Sequence, residues 1–186
     1  MNSKTILLVF LIIAYFSPPL IAQDNPYRNA LFLSAGVTNG SSDNHNTIFG
    51  AGYEYRPYPK ASFEFTVNSA IDKHSYTGID YSYNSKTTYA IFTFSVLYYF
   101  SESWIQPYTV VGLAVILRST KAHYESSPHN QSEDEKYQNI YPGINMGAGL
   151  KFFLTKNISI SPECRAIWGL ACESKFTASL NLAYQW

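Results

Sequence analysis

The run Phe176-Thr177-Ala178-Ser179-Leu180-Asn181-Leu182-Ala183-Tyr184-Gln185-Trp186 decides how the rest of the chain is read. Phe176, Ala178, Leu180, Leu182, Tyr184 and Trp186 share one parity, and Thr177, Ser179, Asn181, Ala183 and Gln185 share the other. Successive side chains of a β-strand point to opposite faces, so this unbroken period of two sets an apolar, aromatic face against a small and polar one. A half-buried strand in a soluble sheet has the same pattern. The terminal Trp186 sets this strand apart, because the last carboxylate prefers water while the indole belongs with the apolar face.

The other end of the chain has a different character. Met1-Asn2-Ser3-Lys4 leads into an apolar run from Ile6 to Phe16, then Pro18-Pro19, then Leu20-Ile21-Ala22-Gln23. One positive charge, an apolar centre and a small residue before the cut describe a secretory signal peptide over residues 1–22, cleaved after Ala22. A spanning helix needs about 20 apolar residues, and the two prolines interrupt the run before that. No cysteine follows the cut, so no lipid anchor is expected there. Residues 23–186 suffice for one domain. Loss of Lys4 takes the balanced charge of the whole chain to minus one, which argues against a nucleic-acid partner. Aromatic residues make up 17% of the chain and charged ones 14%, yet no later segment is a continuous apolar helix. Hydrophobicity spread over alternate positions is what a membrane β-barrel requires.

The same alternation recurs along the chain. Strands are expected at Ala30 to Thr38, Thr47 to Arg56, Ala61 to about Ala70, Thr87 to Phe100, Tyr108 to about Ser119, Ile140 to Leu154, Ile158 to Trp168 and Phe176 to Trp186. Polar, turn-forming stretches separate them. Three are long loops, Asn39 to Asn46, Asp72 to Lys86 and Thr120 to Asn139. Pro57-Tyr58-Pro59-Lys60, Ser101 to Gln106 and Thr155-Lys156-Asn157 read as tight turns, and Gly169 to Lys175 as a short connection. The fold class is therefore all-β, an eight-stranded antiparallel up-and-down transmembrane barrel. Strands of about 9–11 residues cross a bilayer when tilted, and an even strand number puts both termini on the periplasmic side.

With the aromatic-rich face of each strand assigned to lipid, the charged strand residues test the assignment. Glu54, Arg56, Glu64, Arg118, Lys151, Glu163 and Arg165 all have the opposite parity. A lipid-facing Arg or Lys at mid-membrane costs about 2–4 kcal/mol, so these seven are expected to form a lumen ion-pair network. Acid-base chemistry by Glu64 and Glu163 is the competing reading, and the interleaved cations favour structure. Gly50, Gly52, Gly112, Gly143, Gly147 and Gly149 share the inward parity and make room in a lumen barely wide enough for side chains. Tyr55, Tyr58, Tyr98, Phe100, Trp104, Phe152, Tyr184 and Trp186 are expected at the periplasmic rim. Tyr76, Tyr81, Tyr89, Tyr124, Tyr137 and Trp168 are expected at or beyond the outer rim.

Residues 23–186 resemble the small eight-stranded outer-membrane proteins, the OmpA transmembrane domain and OmpX-like barrels, in architecture and in the closing pattern from Phe176 to Trp186. The resemblance implies a bacterial outer-membrane location and makes Phe176, Leu180, Leu182, Tyr184 and Trp186 part of an assembly signal read by the barrel-assembly machinery. Outer-membrane lipid and lipopolysaccharide are then the surroundings. Neither a peptidoglycan-binding domain after the barrel nor a cell-wall tether is expected. Such families imply a non-enzymatic structural or surface-interaction role, with a surface or host ligand met through the loops. A narrow pore for small solutes and a lipid A-modifying enzyme are the alternatives within this architecture. The enzyme reading draws on His74-Ser75, or on His123 with Ser126, without a matching motif. A soluble lipocalin-like binding protein is the remaining alternative, and it leaves the inward charges unexplained. Cys164 and Cys172 allow a disulfide or two free thiols. No cofactor and no metal site is expected.

Overall fold

A computed structural model describes residues 29–39, 45–77, 81–126, 131–169 and 174–186. These form eight strands: β1 (Asn29–Asn39), β2 (His45–Tyr58), β3 (Ala61–Thr77), β4 (Tyr81–Tyr99), β5 (Ile105–Ser126), β6 (Gln131–Phe153), β7 (Ile158–Gly169) and β8 (Lys175–Gln185). Each pairs antiparallel with its neighbour in sequence, and β8 returns to β1 to close the barrel. At the seam, the Asn29 and Trp186 amides each donate to the other residue's carbonyl, at 3.2 and 3.0 Å. Closure matters in lipid, where an unpaired strand edge has no water to satisfy it.

Parity sorts the side chains as a bilayer requires. Leu33, Phe49, Phe94, Val111, Leu113, Ile144 and Leu182 point outward and are exposed. The buried residues fill the lumen from the opposite face of the same strands. Cys164 is an exposed free thiol on the outer wall, and Cys172 lies outside the described residues.

Two of the three expected long loops are in fact mostly strand. Asp72 to Thr77 continues β3, Tyr81 to Lys86 begins β4, and β5 and β6 run to Ser126 and from Gln131. Pairing is continuous to the tips, from Thr77↔Ser82 through Tyr81↔Ser126 to Ser126↔Gln131. On the flanks it ends earlier, β2 leaving β3 after Ala70 and β7 leaving β6 at Gly143. A four-stranded sheet, β3 to β6, therefore rises from one side of the barrel mouth. On β5 it extends beyond Leu117, the last apolar outward residue, by nine positions, roughly 30 Å of strand. Only residues 40–44 of the first expected loop lie outside the strands that flank it, and these are outside the described residues.

The opposite end is tight. β2 runs two residues past the expected stop, through Pro57 to Tyr58, with a register shift between Tyr55 and Tyr58. A bulge is where a strand tolerates proline. β5 begins at Ile105, two residues before Pro107.

Candidate functional site

The lumen is built in layers. Nearest the end that carries both termini, Lys151 Nζ meets Glu54 Oε2 at 2.5 Å, and the Tyr99 hydroxyl donates to Glu54 Oε1 at 2.6 Å. Lys151 also donates to the Tyr99 hydroxyl at 3.1 Å. The Arg56 guanidinium lies over the Tyr99 ring at 4.1 Å and donates to Gln106 Oε1 at 2.8 Å and to the Pro59 carbonyl. A second cluster centres on Arg165. It bonds Glu64 Oε1 at 2.6 Å and Glu163 through both Nε and Nη2, the latter at 2.8 Å, while the Tyr108 hydroxyl donates to Glu163 Oε2 at 2.9 Å.

Six of the seven charges expected in the lumen are thus buried in these two clusters, three acids and three bases. Arg118 is the seventh, and it stands apart. It is half-buried on β5 opposite Tyr89 and Asn139, and it joins none of the ion pairs among the described residues. Parity assigns a residue to a face and is silent about height. Arg118 lies ten positions beyond Tyr108, roughly 34 Å along the strand. Tyr99, Tyr108 and Gln106, which the charge pattern alone does not single out, have the same inward parity and complete the clusters.

Above the charges lies a layer of neutral polar groups. Thr66 and Thr93 share a hydrogen bond of 2.6 Å, Asn68 donates to Thr66 at 3.1 Å, and Ser34 donates to Asn68 at 3.0 Å. Asn145 accepts from Ser95 and donates to the Leu113 carbonyl. The next layer is apolar: Ile48, Ala70, Tyr89, Ile91, Ala114, Ile116 and Ile167 pack across the lumen, with Tyr141 against them. Tyr89, expected at the outer rim, belongs to this plug instead, and Lys175 Nζ sits 4.5 Å from its ring centre. A cavity of about 20 Å³ remains between Phe32, Ile48, Thr93 and Arg165. That is room for about one water molecule.

Two glycines show how the interior is fitted. A Cβ at Gly52 would lie 2.2 Å from the Phe32 ring, and one at Gly149 would lie 2.4 Å from the Tyr108 hydroxyl.

On the outer wall, Tyr55, Tyr58, Tyr98, Phe100, Trp104, Tyr184 and Trp186 are exposed near the end with the tight turns. The Tyr184 and Trp186 rings stack at 6.3 Å. Phe176, Leu180 and Leu182 continue the outward face of β8. Beyond the opposite rim, Tyr76, Tyr83 and Tyr124 occupy directly paired positions on the extended sheet, and the Tyr83 and Tyr124 ring centres are 4.8 Å apart. Tyr137, nearby, donates to Glu135 at 2.6 Å.

The residues considered for catalysis do not assemble. His74 and Ser75 are adjacent on β3 and His123 and Ser126 three apart on β5, so the two members of each pair occupy positions of opposite parity. Ser75, Asn84, His123 and Asp134 do form one cross-strand row. With the strand of Asn84 between them, Ser75 and His123 are roughly 9.6 Å apart, too far for a nucleophile and its base. Among the described residues no group of three His, Cys, Asp or Glu side chains is placed to hold a metal.

Comparison with known proteins gives the lineage. Residues 8–171 match the family described as outer membrane protein beta-barrel domain. No curated protein sequence matches the chain. Among solved structures, a major outer membrane protein from Thermus thermophilus aligns at a TM-score of 0.62 and 12% identity, over 86% of this chain and 99% of that one. Ail, the attachment invasion locus protein of Yersinia pestis, aligns at 0.56 and 14% identity over 86% and 99%. Its complex with the heparin analogue sucrose octasulfate aligns at 0.55 and 15%, with the same coverage. The N-terminal barrel of Pseudomonas aeruginosa OprF aligns at 0.50 and 18% identity over 84% and 97%. At these identities the structures share a fold, and the family match joins it to the outward apolar wall: the chain belongs to the outer membrane protein beta-barrel domain family and is an eight-stranded barrel of the bacterial outer membrane.

Proposed function

We infer that the protein is a non-enzymatic surface-interaction barrel, in which a filled lumen supports a projecting sheet that meets ligands outside the cell. The observation that carries this reading is the row Tyr76, Tyr83 and Tyr124, directly cross-paired on a sheet that stands beyond the barrel rim. Tyr76 and Tyr124 are about half exposed, at 53% and 43%. Tyrosine provides large contact area at small entropic cost and is enriched where proteins meet partners. Three such rings on adjacent strands, roughly 4.8 Å apart, with Tyr83 and Tyr124 tilted by 42° to each other, form a continuous aromatic surface suited to contact with sugar rings or aromatic side chains. Ail is known in complex with a heparin analogue, which makes a sulfated glycan surface the first ligand to test.

The experiment compares adhesion of cells displaying the intact protein with cells displaying Tyr76→Ser, Tyr83→Ser and Tyr124→Ser together, on surfaces coated with heparin and with extracellular-matrix protein. Heat-dependent gel mobility confirms that both barrels fold. Adhesion through the tyrosine row is expected to fall at least tenfold. Equal adhesion by both, or none by either, would reject the reading.

A further inference from the structure

We propose that the outer wall of the projecting sheet carries a clamp for the phosphate groups of outer-leaflet glycolipid, formed by Lys73, Lys86, Lys121 and Lys136. The register places these four residues in one line: Lys73 pairs with Lys86, Lys86 with Lys121, and Lys121 with Lys136. Each sits on a different strand, all share the outward parity, and all are exposed. None takes part in the ion pairs among the described residues. With Ser75, Asn84, His123 and Glu135 they line one open groove, in which Glu135 accepts from the Tyr137 hydroxyl and the lysines outnumber the acid four to one.

Like charges directly opposite each other destabilise a sheet, and here the opposition occurs three times in succession. Lysine on an edge strand discourages pairing with other chains, which accounts for Lys73 and Lys136. That reasoning does not reach Lys86 and Lys121, which lie on the two central strands. Four positive charges at strand spacing, across roughly 14 Å, form a site for a ligand with more than one anionic group.

Position selects the source of those groups. The row is on the wall that continues the lipid-facing band, on the opposite side of the sheet from the tyrosines. Ile71 lies one row below Lys73, and Leu117 two rows below Lys121. The ammonium groups therefore stand roughly 7–13 Å along the strands above the last apolar side chains, at headgroup depth and turned toward the neighbouring lipid. Lysine near a membrane edge extends its stem along apolar surface and its charge into the polar layer. The row just beyond consists of Ser75, Asn84, His123 and Asp134, and two acidic positions, Asp134 and Glu135, border the clamp, both at its β6 end. Phosphate groups on the sugar headgroup of a membrane glycolipid match this depth, charge and multiplicity.

The test uses protein purified from outer membranes and exchanged into phosphatidylcholine nanodiscs containing lipid A that carries both phosphates, or the same lipid dephosphorylated. Lipid A retained per barrel after detergent extraction is the readout. Retention of the phosphorylated form is expected to exceed the dephosphorylated form, and to fall at least tenfold in Lys86→Gln with Lys121→Gln, at about fivefold per lysine. Lys60→Gln, in a turn at the other end, should leave it unchanged. Heat-dependent mobility reports folding of each variant, and Lys86→Arg with Lys121→Arg should restore retention. Equal retention of both lipids, or wild-type retention by the Gln variant, overturns the proposal. Displacement of the lipid by soluble tripolyphosphate at equal phosphate concentration would also overturn it, by assigning the row to a soluble polyanion. The tyrosine triple variant keeps the lysine row, so loss of adhesion and loss of lipid retention are separable.

Discussion

Arg165→Met removes the cation that two buried carboxylates share. Arg165 is the only cation within ion-pairing distance of Glu64 and Glu163 among the described residues, with Nη2 at 2.6 Å from one carboxylate and 2.8 Å from the other. The two carboxylates are 3% and 6% exposed. Water cannot replace the guanidinium, because the adjoining cavity of about 20 Å³ holds about one molecule. Removing one partner of a buried ion pair costs about 3–5 kcal/mol, and here one removal strips two acids at once, so about 5 kcal/mol is expected. Replacing the whole group, Glu64→Gln and Glu163→Gln with Arg165→Met, removes the unpaired charge and keeps a side-chain amide oxygen in place to accept from the Tyr108 hydroxyl. That triple variant is expected to lie within about 2 kcal/mol of the parent. The assay is urea unfolding of the barrel in phosphatidylcholine bilayers, followed by tryptophan fluorescence and by gel mobility without boiling. A loss below about 1 kcal/mol for Arg165→Met, or a triple variant no more stable than the single one, would refute the reasoning.

Three further outcomes follow from the same structure. Gly52→Ala should cost about 1–3 kcal/mol through overpacking, because its Cβ would lie 2.2 Å from the Phe32 ring, and Phe32→Leu should recover part of that loss in the same unfolding assay. Planar bilayers containing the protein are expected to show no steady conductance, since Ile48, Ile91, Ile116 and Ile167 close the lumen; ohmic steps that respond to Glu163→Gln would contradict the filled lumen. Cys164, exposed on the lipid-facing wall, should react in bilayers with a membrane-dissolved maleimide and resist a charged, water-confined one, and rapid labelling by the latter would misplace β7.

Individual strands differ in how much of their place in the barrel their sequence carries. On β8, every outward residue from Phe176 to Trp186 was readable from parity, because one face met lipid and the other did not. The same contrast located Glu54, Glu64, Lys151, Glu163 and Arg165 inside. Beyond the membrane the contrast disappears. Lys121-Ala122-His123-Tyr124 still alternates, yet both faces of the projecting sheet meet water, so strand and loop look alike in sequence. The apolar plug went unread for the opposite reason. In Ala90-Ile91-Phe92, Val115-Ile116-Leu117 and Ala166-Ile167-Trp168 both faces are apolar, and the inward isoleucine is masked by its lipid-facing neighbours. An uninterrupted apolar triplet at one height in three strands was the available sign.

The order of the layers bears on why the sheet can project at all. An isolated two-stranded ribbon is at best marginally stable in water, and three or more strands need a packed face or a firm base. Here β3 to β6 leave the barrel where Ala70, Tyr89, Ile91, Ala114 and Ile116, with Tyr141 of β6 against them, meet Ile48 of β2 and Ile167 of β7. The plug therefore sits at the root of the extension and ties its four strands to the two walls that do not extend. A polar or water-filled lumen at that height would leave the root to backbone hydrogen bonds alone. Charged groups suffice at the other end, where short turns already join the strands and Gln185, Arg56 and Lys151 close the interior. On this reasoning the apolar layer supports the surface that displays the tyrosine and lysine rows. Its truncation, Ile91→Ala with Ile116→Ala, should loosen the sheet before it opens the barrel: amide exchange should rise first at Ile71–Thr77 and Tyr81–Lys86, with the β8 amides still protected. Simultaneous loss of protection in both would show that the plug serves the barrel as a whole.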